Sequence, residues 1–132
     1  MPKTLDSFKT RYLFKKVDNA NTVVFIHGVG LTQEMWRPQV EFFKNYTTLT
    51  YDLIGHGKTP AEKKPTFSNF SKQLLSLINQ LKLKKIHLVG FSLGALIARD
   101  FASKFSNRLF SLIILGSIYK RTENQKRIVI NR

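Results

Sequence analysis

The chain has 132 residues, which suits one domain and is long enough to bury a core without staples. Hydrophobic residues are 42% and charged residues 23%, which argues against a disordered, collagenous or coiled-coil chain, and the absence of cysteine excludes disulfides, thiolate metal sites and a cysteine nucleophile. Lys and Arg number 22 against 8 Asp and Glu, a net charge of +14 that favours contact with anions and says nothing of fold. Met1 to Asp6 holds no apolar core of signal-peptide length, and every apolar run is far too short to span a membrane. The expectation is a cytoplasmic protein with no membrane association.

Arg11 to Val17 alternates weakly, as an edge strand does. Val23 to Ile26 is a continuous apolar run closed by His27-Gly28, the pattern of a strand buried on both faces. Trp36, Val40 and Phe43 fall at helical spacing, and Pro38 suits a first helical turn. Thr47 to Tyr51 is a second strand, ended by Asp52. Phe67, Phe70, Leu74, Leu77 and Leu81 then make an apolar helical stripe, with Pro65-Thr66 as its start signal. Ile86 to Val89 is a third buried strand, ended by Gly90, and His87 within it reads as a core residue. Ile97, Phe101 and Phe105 recur every four residues, and Leu112 to Leu115 is a last strand, ended by Gly116. Alternating strands and helices imply parallel strands joined by crossover helices: an α/β fold with a mostly parallel sheet. Ligands in such sheets sit beyond the carboxyl ends of the strands. The candidate segments are therefore His27 to Gly30, Asp52 to Thr59 and Gly90 to Gly94.

Gly90-Phe91-Ser92-Leu93-Gly94 is a G-x-S-x-G pattern between a buried strand and a helix, the context of a nucleophile elbow. The bare pattern arises by chance in about 4% of chains this long, and correct placement lowers that further. Ser92 would stand exposed on a sharp turn, with the Leu93 N–H and the helix dipole favouring an oxyanion beside it. His27-Gly28-Val29-Gly30 follows the first buried strand, where a second oxyanion donor is expected from the Val29 N–H, with Gly28 allowing close backbone approach. Gly57-Lys58-Thr59 matches the tail of a phosphate-binding loop. The glycine required five residues before Gly57 is Asp52, however, whose carboxylate would oppose a phosphate. That segment reads as a structural turn, with Asp52 bonding loop amides and His56 as a turn residue.

The combined spacing, His27-Gly28-x-Gly30 to Trp36, Asp52-x-x-Gly55-x-Gly57-x-Thr59 and Gly90-x-Ser92-x-Gly94, resembles the α/β-hydrolase superfamily. The likeness is to its small esterases, enol-lactonases and carbon–carbon bond hydrolases, and runs from Asn21 to Arg132. It implies that residues 1–132 form a single, incomplete α/β-hydrolase domain with its core at 21–116. Residues 117–132 would begin a cap, since Tyr119 to Arg127 resembles the start of one. By that likeness Ser92 is the nucleophile, and the Val29 and Leu93 amides hold the oxyanion. His27 braces the oxyanion loop, and Phe91 and Trp36 shape the acyl pocket, although Trp36 equally suits plain core packing. The implied partner is a small-molecule ester or lactone. No metal and no organic cofactor is implied.

A serine nucleophile needs a base and an orienting acid, which in this fold follow it in the order acid, then histidine. The three histidines, His27, His56 and His87, all precede Ser92. Asp100 and Glu123 follow it, but neither falls at a strand end. The expectation is the N-terminal half of a serine hydrolase, inactive or weakened as an isolated chain. Its Leu112 to Leu115 edge would be open to self-association. The alternative is a non-catalytic or split-subunit binding module of the same fold. Specific nucleic-acid binding is not expected, because the cations are dispersed, Lys dominates over Arg and no recognition motif is present.

Overall fold

A computed structural model describes residues 7–116, so the segment read as the start of a cap lies outside the described residues. The strands are β1 (Tyr12–Lys15), β2 (Thr22–Ile26), β3 (Thr47–Tyr51), β4 (Ile86–Phe91) and β5 (Leu109–Leu115). The helices are α1 (Arg37–Phe42), α2 (Phe67–Gln80) and α3 (Leu93–Lys104), with 3₁₀ turns at Gln33–Trp36 and Ser106–Arg108. The strands form one sheet in the order β1-β3-β2-β4-β5. Only β1 runs antiparallel to its neighbour; the other pairings are parallel, as the alternation of strand and helix requires. The chain passes from β2 to β3 on one side, and α2 then carries it back across β2 to β4 on the other. That reversal makes the carboxyl ends of β2 and β4 the switch point of the sheet, where a crevice opens in folds of this type.

Successive strand residues face opposite sides, so each buried strand feeds two cores. Val24, Ile26, Leu49 and Leu88 pack with Leu74, Leu77 and Ile78 of α2 and with Ile97 and Phe101 of α3. Val23, Phe25 and Val89 pack on the other face with Trp36 and Val40. Full burial of each such side chain contributes about 1.5–3 kcal/mol relative to leaving it in water. The polar side chains of β3 are also buried; Thr47 and Thr50 are hydrogen-bonded, whereas the Tyr51 hydroxyl has no partner among the described residues. Thr47 Oγ1 accepts from the Val17 N–H at 2.8 Å and donates to the Val17 carbonyl at 3.1 Å. Thr50 Oγ1 donates to Gln33 Oε1 at 2.9 Å. The helix starts follow the sequence signals. Pro38 lies in the first turn of α1, and Thr66 caps α2 by accepting from the Asn69 N–H at 3.1 Å.

Two expectations change. The last strand begins at Leu109 rather than Leu112. The Arg108 guanidinium donates to the carbonyls of Leu83, at 2.6 Å, and Lys84, at 2.8 Å, and so ties the start of β5 to the turn before β4. Ser111 interrupts the apolar run and hid this extension. His87 is only half-buried rather than a core residue. It lies opposite Ser111, with Nδ1 at 2.7 Å from Ser111 Oγ and its ring 5.2 Å from that of Phe110. It shares a face with Val89, but α1 and its 3₁₀ turn cover that face only over β2 and the end of β4.

Candidate active site

The turn between β4 and α3 forces the backbone of the elbow. Ser92 has φ 58° and ψ −115°, a conformation that side-chain-bearing residues rarely adopt. Its N–H donates to the Leu115 carbonyl at 3.0 Å, and its carbonyl accepts from Ala95 N–H at 2.9 Å and Leu96 N–H at 3.3 Å. The flanking glycines are required by packing. A Cβ at Gly90 would fall 2.9 Å from the Ala95 Cα, and one at Gly94 would fall 2.7 Å from the His27 carbonyl oxygen. The helix therefore starts in backbone contact with the ends of both β2 and β4. Ser92 is left half-buried at the switch point.

The loop after β2 meets the serine there. The position of a Cβ at Gly28 lies 3.2 Å from Ser92 Cβ and 3.2 Å from the Phe91 ring. Phe91 thus packs between the oxyanion-loop candidate and the end of β5, where a Cβ at Gly116 would come 3.1 Å from it. Val29 is exposed, and its N–H makes no hydrogen bond among the described residues. Leu93 opens α3, so its N–H has no acceptor within the helix. Two free amides and the positive end of α3 near one serine form a setting that suits a developing oxyanion. Trp36 is not part of it. It is 2% exposed, with its ring 4.9 Å from that of Phe25, and it takes the core-packing role rather than the pocket role.

The three histidines have other partners. His27 is fully buried; its Nε2 accepts from the Leu53 N–H at 3.0 Å and its Nδ1 lies 2.7 Å from the Gly28 carbonyl. Burial holds its pKa below the usual value, against the opposing pull of the Gly28 carbonyl. His56 Nδ1 lies 3.0 Å from the Ile54 carbonyl. His87 belongs to the β4–β5 face. The Asp52 carboxylate accepts from the Gln33 N–H at 2.9 Å and the Lys58 N–H at 3.0 Å, the loop-bonding role expected of it. Asp100 accepts from Ser71 Oγ at 2.7 Å and pairs with Lys104 at 3.0 Å. Burial raises its pKa, but those two partners outweigh it and hold the carboxyl low.

Sequence reasoning missed Gln73. This fully buried side chain bonds the Asp52–Ile54 turn. Its signal was a glutamine on the apolar stripe of α2, three residues after Phe70 and four before Leu77. Among the described residues, no group of three or more His, Asp or Glu could hold a metal ion, and no helix is long and apolar enough to cross a membrane.

Comparison with known proteins finds relatives of this fold. The chain is 31% identical to an (E)-2-((N-methylformamido)methylene)succinate hydrolase of Acinetobacter baylyi, over 97% of this chain and 49% of that protein. It is 32% identical to 3-oxoadipate enol-lactonase 1 of the same species, over 78% of this chain and 39% of that protein. The crystal structure of the enol-lactonase from Burkholderia xenovorans LB400 superposes with a TM-score of 0.74 at 29% identity, over 78% of this chain and 41% of that one. An α/β hydrolase enzyme from a Medee basin deep-sea metagenome library superposes at 0.80 with 25% identity, over 97% of this chain and 48% of that one. The chain thus spans half or less of the length of these relatives. Residues 21–128 match the family model of the alpha/beta hydrolase fold, and the chain belongs to that family.

Proposed function

We propose that this chain carries the nucleophile half of a serine hydrolase acting on a carboxylic ester, a lactone or a related carbonyl. Ser92 Oγ attacks the carbonyl carbon. The carbonyl π electrons move to oxygen, which the Val29 and Leu93 amides receive, and the alkoxide or enolate then leaves. Water releases the acyl group from Ser92 in a second round. The observation that carries the reading is the strained Ser92 at the switch point, beside Gly28 and at the start of α3. The enol-lactonase and hydrolase relatives support the substrate class.

Among the described residues no histidine is hydrogen-bonded to Ser92, and all three precede it in the chain, so the base in this reading is a histidine outside these residues. The same polypeptide region or subunit would orient it with its acid. In the assembled enzyme, Ser92→Ala is expected to lower 4-nitrophenyl acetate hydrolysis by about 10⁴–10⁶-fold, as loss of the nucleophile does in other serine hydrolases. Unchanged hydrolysis by Ser92→Ala would refute the assignment. The alternative is a non-catalytic or split-subunit binding module of the same fold; its split-subunit form shares this chemistry, with another polypeptide bringing the base, and its non-catalytic form does not.

A further inference from the structure

We infer that Gln73 on α2 is a positioning residue for the oxyanion loop, acting through the Asp52–Leu53 peptide and His27. This rests on the reading of the Val29 N–H as an oxyanion donor. The Gln73 side chain makes three hydrogen bonds. Its Oε1 accepts from the Ile54 N–H at 3.3 Å, and its Nε2 donates to the Asp52 carbonyl at 3.1 Å and to Thr10 Oγ1 at 3.0 Å. The Asp52 carbonyl and the Leu53 N–H belong to one peptide group. That peptide is trans, so holding the carbonyl aims the N–H the opposite way. It points at His27 Nε2, 3.0 Å distant.

The same logic repeats one step on. A backbone N–H can only donate, so His27 Nε2 is an unprotonated acceptor and the neutral ring carries its proton on Nδ1. Nδ1–H then donates to the Gly28 carbonyl at 2.7 Å, and the Leu31 N–H donates to the same oxygen at 3.2 Å. That carbonyl shares its peptide group with the Val29 N–H, and the peptide is again trans. Fixing the carbonyl therefore fixes the direction of the amide left free at Ser92. Two peptide planes and one imidazole tautomer run in series from α2 to the site. Each link has a fixed donor sense, so none can be reversed without setting donor against donor or acceptor against acceptor. A glutamine suits the first position because it donates and accepts at once. An apolar side chain there would strand the buried Ile54 N–H and Asp52 carbonyl. Loss of an oxyanion donor costs about 10²–10³-fold in turnover, which is the effect that this orientation protects against.

The test is the ¹⁵N spectrum of the histidine rings and of the backbone amides in the 132-residue chain. His27 is expected to show a protonated, pyrrole-type Nδ1 and a pyridine-type Nε2. In Gln73→Met that signature is expected to be lost or averaged. The Val29 amide is expected to move with it, although residue 73 has no hydrogen bond to the Gly28–Val29 peptide. Gln73→Glu, with its buried carboxyl protonated, keeps one donor and one acceptor and is expected to restore both signals. A folded Gln73→Met with an unchanged His27 tautomer and Val29 amide overturns the proposal. If that variant does not fold, acid titration of the wild-type chain decides. The Gln73 side-chain amide, the Leu53 amide, the His27 ring and the Val29 amide should move with one midpoint. The titratable neighbours of His27 are His56, whose ring is 5.1 Å away, and Asp52. Separate midpoints for His27 and Val29 overturn the relay. None of these signals reads Ser92 chemistry. The relay can therefore fail with the Ser92 assignment intact, and a failure of Ser92 to react would leave the relay standing.

Discussion

Ser92 keeps a side chain where its backbone favours glycine, at φ 58°. Such strain costs about 1–3 kcal/mol and is tolerated where surrounding bonds over-determine the turn. Ser92→Ala keeps the strain, whereas Ser92→Gly relieves it at an entropic cost of about 0.4–1 kcal/mol in the unfolded chain. Ser92→Gly is therefore expected to be more stable than Ser92→Ala by about 1 kcal/mol. Urea midpoints measure the difference, and equal midpoints would mean that the elbow is relaxed. His27 gives a pH dependence with a definite sign. Its pKa is lower folded than its unfolded value of 6.5, so the neutral ring is what the fold favours. The stability it contributes is fully present above pH 6.5 and is lost as pH falls through the folded pKa. The urea midpoint should decline on acidification below pH 6.5, and His27→Gln should remove that decline while lowering the plateau. Asp100, also lowered, acts in a separate window as pH falls through its own folded pKa below 3.8.

At the scale of elements, what was legible depended on whether a residue's partners are of one chemical kind. β2 and β3 could be read because both of their faces are buried and the apolar or threonine run is unbroken, and β4 because Ile86, Leu88 and Val89 are buried around a half-buried His87. α2 could be read because Phe70, Leu74 and Leu77 repeat at helical spacing behind a capping threonine. The elbow was visible as glycines on either side of Ser92, and the structure supplies the reason: helix and strand backbones meet there. Residues with distant, specific partners were not legible. Gln73 bonds Thr10, which is 63 positions away in the chain, and periodicity carries no record of such pairs. The start of β5 was missed because Ser111 breaks its apolar run, and the Arg108 bonds that tie it to the turn before β4 leave no local signal. Trp36 was ambiguous because a large aromatic suits both a pocket wall and a core, and only its packing on Phe25 separates the two.

At the scale of the molecule, β5 has the composition of an interior strand but the position of an edge. Phe110 is 54% and Ile113 45% exposed, and among the described residues the strand pairs only with β4. A row of free backbone groups beside apolar side chains is a template for pairing with another strand. The isolated chain is expected to self-associate through β5 despite its net charge of +14. Small-angle scattering should give a mass above 15.3 kDa that rises with concentration, and Ile113→Lys should lower it. A concentration-independent monomer would count against an open β5 edge.

The most direct test of the central claim is covalent labelling of the 132-residue chain with a fluorophosphonate, read by intact mass and peptide mapping. Added imidazole would stand in for the absent histidine base. The prediction is one adduct per chain, on Ser92, formed faster as imidazole is raised and lost in Ser92→Ala. An adduct of equal yield in Ser92→Ala, or no Ser92 adduct at saturating imidazole, would contradict the reading of Ser92 as a nucleophile held beside a preformed oxyanion site.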